Sequence, residues 1–249
     1  MKLVDAHAHL DSPELEGFLS SHDQSNLRVI SNSVTVDASV RNLDIAKKFA
    51  SVVPFVGIHP EIFRNPGNLS KEEIDNMTEK IFLLSKSASG IGEIGLDPNY
   101  GRVKDQRYLF ERMLELAEKT KLPVSIHCRD STLEVLELLS THILKSGTLF
   151  HWFAGNENEL KRIHALGMYT SFGPSIIFSK RMGNLIQMSD RRFILAETDS
   201  PTRFRSLHDA PSNSTLVSSV VFQMSHLLNL PFDQTCELTS SNSKNYLST

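Results

Sequence analysis

Two histidines separated by one residue, His7 and His9, stand at the end of the first apolar run of the chain. In an extended strand, side chains at positions i and i+2 project from the same face, so both imidazoles would point the same way. Two imidazole nitrogens on one side of a strand can bind a single divalent metal ion. Such a pair also occurs on ordinary protein surfaces, so the metal interpretation depends on partners elsewhere in the chain.

Four further residues of metal-ligand type, Glu93, His127, His151 and Asp199, lie at or near the ends of separate predicted strands. Each one alone could be a core histidine or a helix-capping carboxylate. Their joint placement favours a shared site, because the C-terminal ends of strands in a parallel barrel converge on one rim. Imidazole and carboxylate groups without thiolates suit Zn²⁺, Mn²⁺, Fe²⁺ or Mg²⁺.

Six candidate ligands exceed what one tetrahedral ion needs if water is to bind as well. We therefore predict two divalent metal ions (Zn, Mg or Mn), with Glu93 as the bridging carboxylate because it has two oxygens. Asp199 and Glu93 are the predicted catalytic residues, and Asp199 would both ligate an ion and accept the proton of the attacking water.

Two residues at the same predicted rim are candidates for substrate binding. His59 ends another strand, at a point where Pro60 forces the chain to turn, and it could contact substrate or serve only as a hydrogen-bonded turn residue. Arg129 follows His127 by two residues, and its planar guanidinium suits a phosphate.

Aromatic residues follow His151 directly, and Trp152 and Phe153 could stack on a base or act as packing residues. The remaining histidines fall on predicted helices or loops, where we expect them to be solvated: His22, His142, His164, His208 and His226.

Short β-rich apolar runs alternate with segments of helical spacing, such as Gln106 to Lys119. Repeated strand–helix units imply a parallel sheet, and about eight of them favour a TIM (β/α)₈ barrel over an open doubly wound sheet. No linker or repeat divides the chain, so we expect one domain over residues 1–249. The predicted strands are Lys2–Ala6, Arg28–Val34, Val52–Ile58, Gly90–Leu96, Pro123–Ile126, Thr148–Phe150, Met168–Phe172 and Phe193–Glu197.

The segment Gly90–Gly95 matches the G-x-G-x-x-G spacing of dinucleotide-binding proteins. It forms a predicted strand itself and continues into Leu96-Asp97-Pro98, whereas the dinucleotide motif must open a helix. We therefore exclude dinucleotide binding. The chain also contains neither a P-loop nor a G-x-S-x-G motif, which excludes the commonest nucleotide triphosphatase and serine hydrolase signatures.

The 249 residues carry 29 acidic and 26 basic side chains, so no bulk positive field is available to hold polyanions non-specifically. Cys128 and Cys236 are far apart in the sequence and are predicted to be free thiols. About 18 consecutive apolar residues would be needed to span a membrane, and no such run occurs. We expect a cytoplasmic protein without membrane association or an obligate protein partner.

Taken together, the motifs resemble the TatD family of metal-dependent deoxyribonucleases over almost the whole chain. The resemblance implies a TIM barrel of the metal-dependent hydrolase superfamily, two metal ions, and hydrolysis of DNA phosphodiester bonds, in several members as a 3′-to-5′ exonuclease. DNA, as single strands or 3′ ends, would then be the substrate. His59 and Arg129 match positions associated with the substrate phosphate. The motifs begin at Asp5, Gly57, Gly92, Pro123, His151 and Glu197, and the implied ligands are His7, His9, Glu93, His127, His151 and Asp199.

The chain departs from the family pattern in three places. Trp152 stands where a small Cys is usual, Ala154 where Ser or Thr is common, and His208-Asp209-Ala210-Pro211 replaces Arg-Asn-Glu-Pro. These changes bear on the substrate, which leaves two alternatives open. One is a related hydrolase of a non-nucleic-acid ester, amide or aminoacyl ester, and the other is a non-catalytic binding protein on the same barrel.

Overall fold

The computed structural model describes residues 2–15, 17–21, 26–64, 69–205 and 208–248. Eight parallel strands form one sheet in the order β1 to β8, with each strand paired to the next along the chain. The predicted (β/α)₈ barrel is confirmed. The strands are β1 (Leu3–Ala8), β2 (Leu27–Ser31), β3 (Val52–Val56), β4 (Gly90–Leu96), β5 (Val124–Cys128), β6 (Thr148–Phe150), β7 (Tyr169–Phe172) and β8 (Ile194–Ala196).

The first and last strands meet through backbone hydrogen bonds at their C-terminal ends. The amide of Asp199 donates to the carbonyl of His7 at 2.9 Å, and the amide of His9 donates to the carbonyl of Ser200 at 2.7 Å. These bonds join the β1 edge to the segment that follows β8. The sheet therefore curves into a barrel, and its first and last strands are joined at the C-terminal rim.

Helices connect the strands and cover the barrel, and their apolar faces are buried against it. In α4 the buried face includes Leu109, Phe110 and Met113, which recur at helical spacing. The α-helices are α1 (Phe18–Ser21), α2 (Val36–Lys48), α3 (Lys71–Ser85), α4 (Val103–Thr120), α5 (Thr132–Leu139), α6 (Glu157–Ala165), α7 (Ser175–Phe178), α8 (Lys180–Met188), α9 (Val217–Leu228) and α10 (Phe232–Leu247). Short 3₁₀ helices span Pro13–Leu15, Pro60–Phe63, Pro98–Tyr100, Arg191–Phe193 and Ser214–Leu216.

The end of the barrel opposite the rim is filled by the side chain of Tyr246 from α10. Its hydroxyl donates to the carbonyl of Val124, the first residue of β5, at 3.0 Å. Its ring contacts Phe55 of β3 and Tyr169 of β7, which belong to opposite sides of the barrel. Tyr246 is fully buried, so the barrel interior is filled by a packed side chain at this end.

Within the described residues, no helix is both long and apolar enough to cross a membrane. Cys128 and Cys236 are free thiols, as predicted. The prediction that the remaining histidines are solvated is wrong for His164, which is buried, and His142 is partly buried as well. His208 and His226 are exposed as predicted, and His22 lies outside the described residues.

Candidate metal centre

Side chains from the C-terminal ends of β1, β4, β5, β6 and β8 meet at the barrel rim. Glu93 is buried near the middle of the group. Each of the four histidines has a ring nitrogen within 4.0 Å of its carboxylate, and Asp199 has an oxygen within 4.0 Å of His7 and His9. The members are His7, His9, Glu93, His127, His151 and Asp199.

The carboxylate of Glu93 faces two groups of histidines with different oxygens. Its Oε2 lies 3.3 Å from Nε2 of His7 and 3.3 Å from Nε2 of His9. Its Oε1 lies 2.8 Å from Nδ1 of His127 and 2.7 Å from Nε2 of His151. One oxygen per group is the arrangement that a bridging carboxylate requires.

The first group is completed by Asp199, whose Oδ1 lies 3.3 Å from Nε2 of His9 and 3.7 Å from Nε2 of His7. The other ring nitrogen of each histidine is already engaged: Nδ1 of His7 lies 2.9 Å from Oγ of Ser125, and Nδ1 of His9 lies 3.1 Å from the carbonyl of Asn32. These outer partners fix the ring orientations, so both Nε2 atoms are directed toward the carboxylates.

The second group, His127 and His151, is joined by His59, a residue that we predicted as a substrate contact. His127 is oriented by Asp97, whose Oδ2 lies 3.2 Å from its Nε2. His59 lies within the cluster, with Nε2 3.3 Å from Oε1 of Glu93, while its Nδ1 accepts the amide hydrogen of Glu61. His59 is buried. The structure therefore gives His59 the same access to Glu93 as the predicted ligands have.

A second buried carboxyl group, that of Glu197, lies behind His151. Its Oε2 accepts a hydrogen bond from Oγ of Ser171 at 2.5 Å and lies 3.9 Å from Nδ1 of His151. Burial, reinforced by the negative charge of Asp199, raises the pKa of Glu197 well above its ordinary value. A protonated Glu197 can face His151 without adding a negative charge to the centre.

Burial and the neighbouring charges set the protonation states of the cluster. Burial lowers the pKa of His7 to about 3, so that ring is neutral and can donate a lone pair to a metal. Burial opposes the charge on His127, but Asp97 and Glu93 raise its pKa to about 9. Burial likewise opposes ionisation of Asp199, yet the hydrogen bond from His9 and nearby histidines hold its pKa below the ordinary value.

The donor atoms lie close enough to share cations. Among the described residues they form three overlapping triads whose donor atoms all lie within 4.8 Å of one another. The Nε2 atoms of His7 and His9 face each other at 3.3 Å, a contact that two neutral lone pairs cannot stabilise without a proton or a cation between them. This donor set fits divalent metal ions. The triads are His7–Glu93–His151, His7–His9–Asp199 and His59–Glu93–His127.

Close backbone approach brings β4 and β5 into the register that the centre needs. Gly95 pairs with His127, and a Cβ atom at Gly95 would lie 1.9 Å from the carbonyl oxygen of His127. Gly95 also has a φ of +148°, which residues with side chains rarely adopt. The glycine repeat that resembles a dinucleotide motif is therefore part of strand β4, where it permits this close packing.

Arg129 is not joined to the cluster by the contacts of the described residues. Its backbone amide donates to the carbonyl of Leu96, and the residue is exposed directly after the C-terminal end of β5. Phe153 is buried and packs against Phe172, so it is a packing residue. Trp152 is only partly buried, and its ring stacks on Phe204.

Asp97, Ser125 and Glu197, which contact the histidines from outside the cluster, were not predicted as site residues. Two signals were available: Asp97 directly follows the strand that carries Glu93, and Ser125 precedes His127 by two residues on the same strand. Period-two spacing places Ser125 on the same face as His127. The contacts themselves depend on the register between strands, which the sequence does not specify.

An eight-stranded parallel barrel with an imidazole–carboxylate cluster at its C-terminal rim defines the class of metal-dependent hydrolases to which this protein is related. The chain belongs to the TatD related DNase family, whose model matches residues 4–248. It is a metal-dependent hydrolase of that family.

The chain is 25% identical over 230 residues to an uncharacterized metal-dependent hydrolase of Methanocaldococcus jannaschii, covering 87% of this chain and 86% of the relative. It is 24% identical over 257 residues to the human deoxyribonuclease TATDN3, covering 96% and 92%. Among solved structures, the TatD homolog YjjV of Escherichia coli superimposes with a TM-score of 0.87 at 22% identity, covering 98% and 97% of the two chains. This last likeness supports the fold.

Proposed function

We propose that the protein hydrolyses phosphodiester bonds of DNA and acts as a 3′-to-5′ exonuclease on strand ends. The observation that carries the proposal is the carboxylate of Glu93, whose two oxygens face two separate histidine groups at 2.7 to 3.3 Å. A bridging carboxylate between two ions is typical of enzymes that displace at phosphorus. The name of the human relative, a deoxyribonuclease, supports the choice of substrate.

The chain's own residues divide between two ion positions. Divalent ions bound there would supply Lewis acidity to the phosphodiester and lower the pKa of the attacking water. His7, His9 and Asp199 would hold one ion, and His127 and His151 the other. Glu93 would serve both.

Asp199 is the proposed proton acceptor for the attacking water. Its carboxylate lies at the rim, 18% exposed, and its lowered pKa leaves it ionised and able to take a proton. Arg129 is exposed directly after the C-terminal end of β5, and its guanidinium suits a phosphate oxygen. His59 lies 3.3 Å from Glu93, where its ring can contact a substrate phosphate beside the second ion position.

The test is hydrolysis of single-stranded DNA bearing a 3′ label, with Zn²⁺, Mg²⁺ or Mn²⁺ added separately and with a chelator control. A panel of carboxylic esters, amides and aminoacyl esters is assayed in parallel. We expect release of the labelled nucleotide from the 3′ end, which depends on a divalent ion and stops with the chelator. Release of no nucleotide, together with turnover of a compound in the panel, would reject DNA in favour of the alternative substrate class.

A further inference from the structure

Two aromatic rings stand beside the candidate metal centre without being part of it. Trp152 directly follows His151, and Phe204 lies on the segment that follows Asp199. Their rings stack with centroids 5.8 Å apart and an interplanar angle of 14°. Both side chains are partly exposed. The pair therefore presents aromatic surface at the rim that carries the cluster.

The backbone on both sides of Trp152 is fixed, which determines where the indole lies. The amide of His151 donates to the carbonyl of Ile126 at 3.1 Å, and the amide of Phe153 donates to the carbonyl of Ser171 at 3.0 Å. Trp152 itself has a φ of +41°, in the left-handed region that bulky residues disfavour. Strained positions of this kind concentrate at functional sites, where surrounding structure holds them in place.

Phe204 is held in position by a set of contacts across the rim. Its carbonyl accepts the amide hydrogen of Asp209 at 3.1 Å. The guanidinium of Arg203 donates to the carbonyl of Asp209 at 2.7 Å and to Oε1 of Glu14 at 2.9 Å. These bonds tie the Phe204 segment to itself and to the 3₁₀ helix Pro13–Leu15 that follows β1. Phe204 thus backs the indole from a position that these bonds hold in place.

The aromatic residue that packs into the core beside His151 is Phe153, not Trp152. Phe153 is 4% exposed and packs edge-on against Phe172 in the core. Trp152 points elsewhere and keeps part of its surface accessible. A flat, apolar, partly exposed surface beside a site for a charged group suits a ligand with an aromatic part and an anionic part.

We propose that the Trp152–Phe204 pair is a nucleobase platform, on which the base of the nucleotide at the scissile phosphate stacks. This inference rests on the proposed function and adds the means by which the site holds a nucleotide. Every base has a π face, so the platform tolerates all sequences while requiring a base. A strand end with a base would therefore bind in preference to an abasic one of the same charge.

Trp152 is the only tryptophan of the chain, so its fluorescence reports on this position alone. We would titrate the metal-loaded protein with a phosphorothioate-linked thymidine trinucleotide, whose linkages resist cleavage. The same trinucleotide with abasic residues is the matched probe. We expect saturable quenching by the first probe only, and about tenfold weaker binding in Phe204→Leu, as the loss of one stacking contact predicts. Phe222→Leu, which alters an exposed aromatic residue on α9, is the control and should bind as the unaltered protein does.

Equal quenching by the abasic probe, or none by either probe, would overturn the platform. The labelled-DNA assay separates this failure from failure of the proposed function. Nucleotide release without base-dependent quenching rejects the platform and keeps the nuclease. Base-dependent quenching without nucleotide release supports the platform as a binding site and rejects the nuclease. In Trp152→Leu, we expect KM for DNA to rise about tenfold with kcat little changed, since stacking acts on binding.

Discussion

Asp97 and His127 form a pair in which Oδ2 of the aspartate lies 3.2 Å from Nε2 of the histidine. The contact leaves Nδ1 of His127 directed at Glu93, 2.8 Å away. The side chain of Asp97 is 1% exposed, and its carboxylate also accepts the amide hydrogen of Asn99. Asp97 therefore determines which nitrogen of His127 is available to a metal.

Replacing Asp97 with Asn should weaken metal binding by about 10- to 100-fold, because outer partners of a ligating histidine contribute to affinity on that scale. The amide keeps the size of the side chain but removes the charge that orients and polarises the ring. Isothermal titration of the metal-free protein with Zn²⁺ or Mn²⁺ measures the change. Asp44→Asn, which affects an exposed pair with Lys47, should bind metal normally. Unaltered affinity in Asp97→Asn would remove this residue from the centre.

Asp199→Asn should lower turnover of DNA by about 10²- to 10⁴-fold while the protein remains folded. The amide cannot accept a proton from water, although it can stay in place beside His9. Metal content by elemental analysis and single-turnover kinetics distinguish lost chemistry from lost metal. If metal remains bound and turnover is unchanged, Asp199 is not the proton acceptor.

Gly95→Ala should destabilise the protein by about 1 to 3 kcal/mol and lower metal affinity at the His127 side of the centre. The added Cβ would meet the carbonyl of His127 at 1.9 Å, so the two strands must separate. Urea unfolding and metal titration provide the two measurements. Gly167→Ala is the matched control, because Gly167 also has a positive φ but no atom within 4 Å of the added Cβ. Equal losses in both variants would assign the effect to backbone conformation.

Acid should destabilise the fold through His164, which lies on α6 away from the metal centre. Burial lowers its pKa to about 4, against 6.5 ordinarily, although the charge of Asp190 acts in the opposite direction. The neutral ring is satisfied on both sides, since Nδ1 accepts the amide hydrogen of Asp190 and Nε2 lies 2.9 Å from Oγ1 of Thr170. Protonation would destroy the first of these bonds.

Because the unfolded chain takes up this proton first, the stability due to His164 is complete above pH 6.5 and declines between pH 6.5 and about 4. The full loss is about 3 kcal/mol. Urea unfolding of His164→Gln at pH 7.5 and pH 5 should show a smaller pH dependence than the unaltered protein. His226→Gln, at an exposed histidine, should keep the original dependence. An unchanged slope in His164→Gln would contradict the assignment.

The barrel could be predicted from the sequence because each strand is a short apolar run and each run is followed by a helical pattern. Two strands, Gly90–Leu96 and Thr148–Phe150, coincide with their predicted bounds, and β1 extends two residues further, so that His7 lies within it. The convergence of Glu93 and Asp199 on one rim follows from the topology of such a barrel. Their roles as metal ligands stay predictions.

Contacts that depend on register and side-chain direction could not be predicted. The pairing of Gly95 with His127 brings Asp97 to the histidine, and nothing in the local sequence specifies that alignment. His164 lies on a helix rich in charged residues, and its burial results from packing against Thr170 and the segment at Asp190. Composition around a residue indicates its average environment, whereas the fold determines which of its faces is covered.

The hydrogen bonds between β1 and the segment after β8 can form only late in translation. Asp5 accepts hydrogen bonds from the amide and hydroxyl of Thr198, two residues that are 193 positions apart. At ribosomal rates of about 5 to 20 residues per second, the nascent chain needs roughly 10 to 40 s to make the second after the first. During that interval His7 has no Asp199 to face. A chain that is terminated before Asp199 therefore cannot assemble all six candidate ligands.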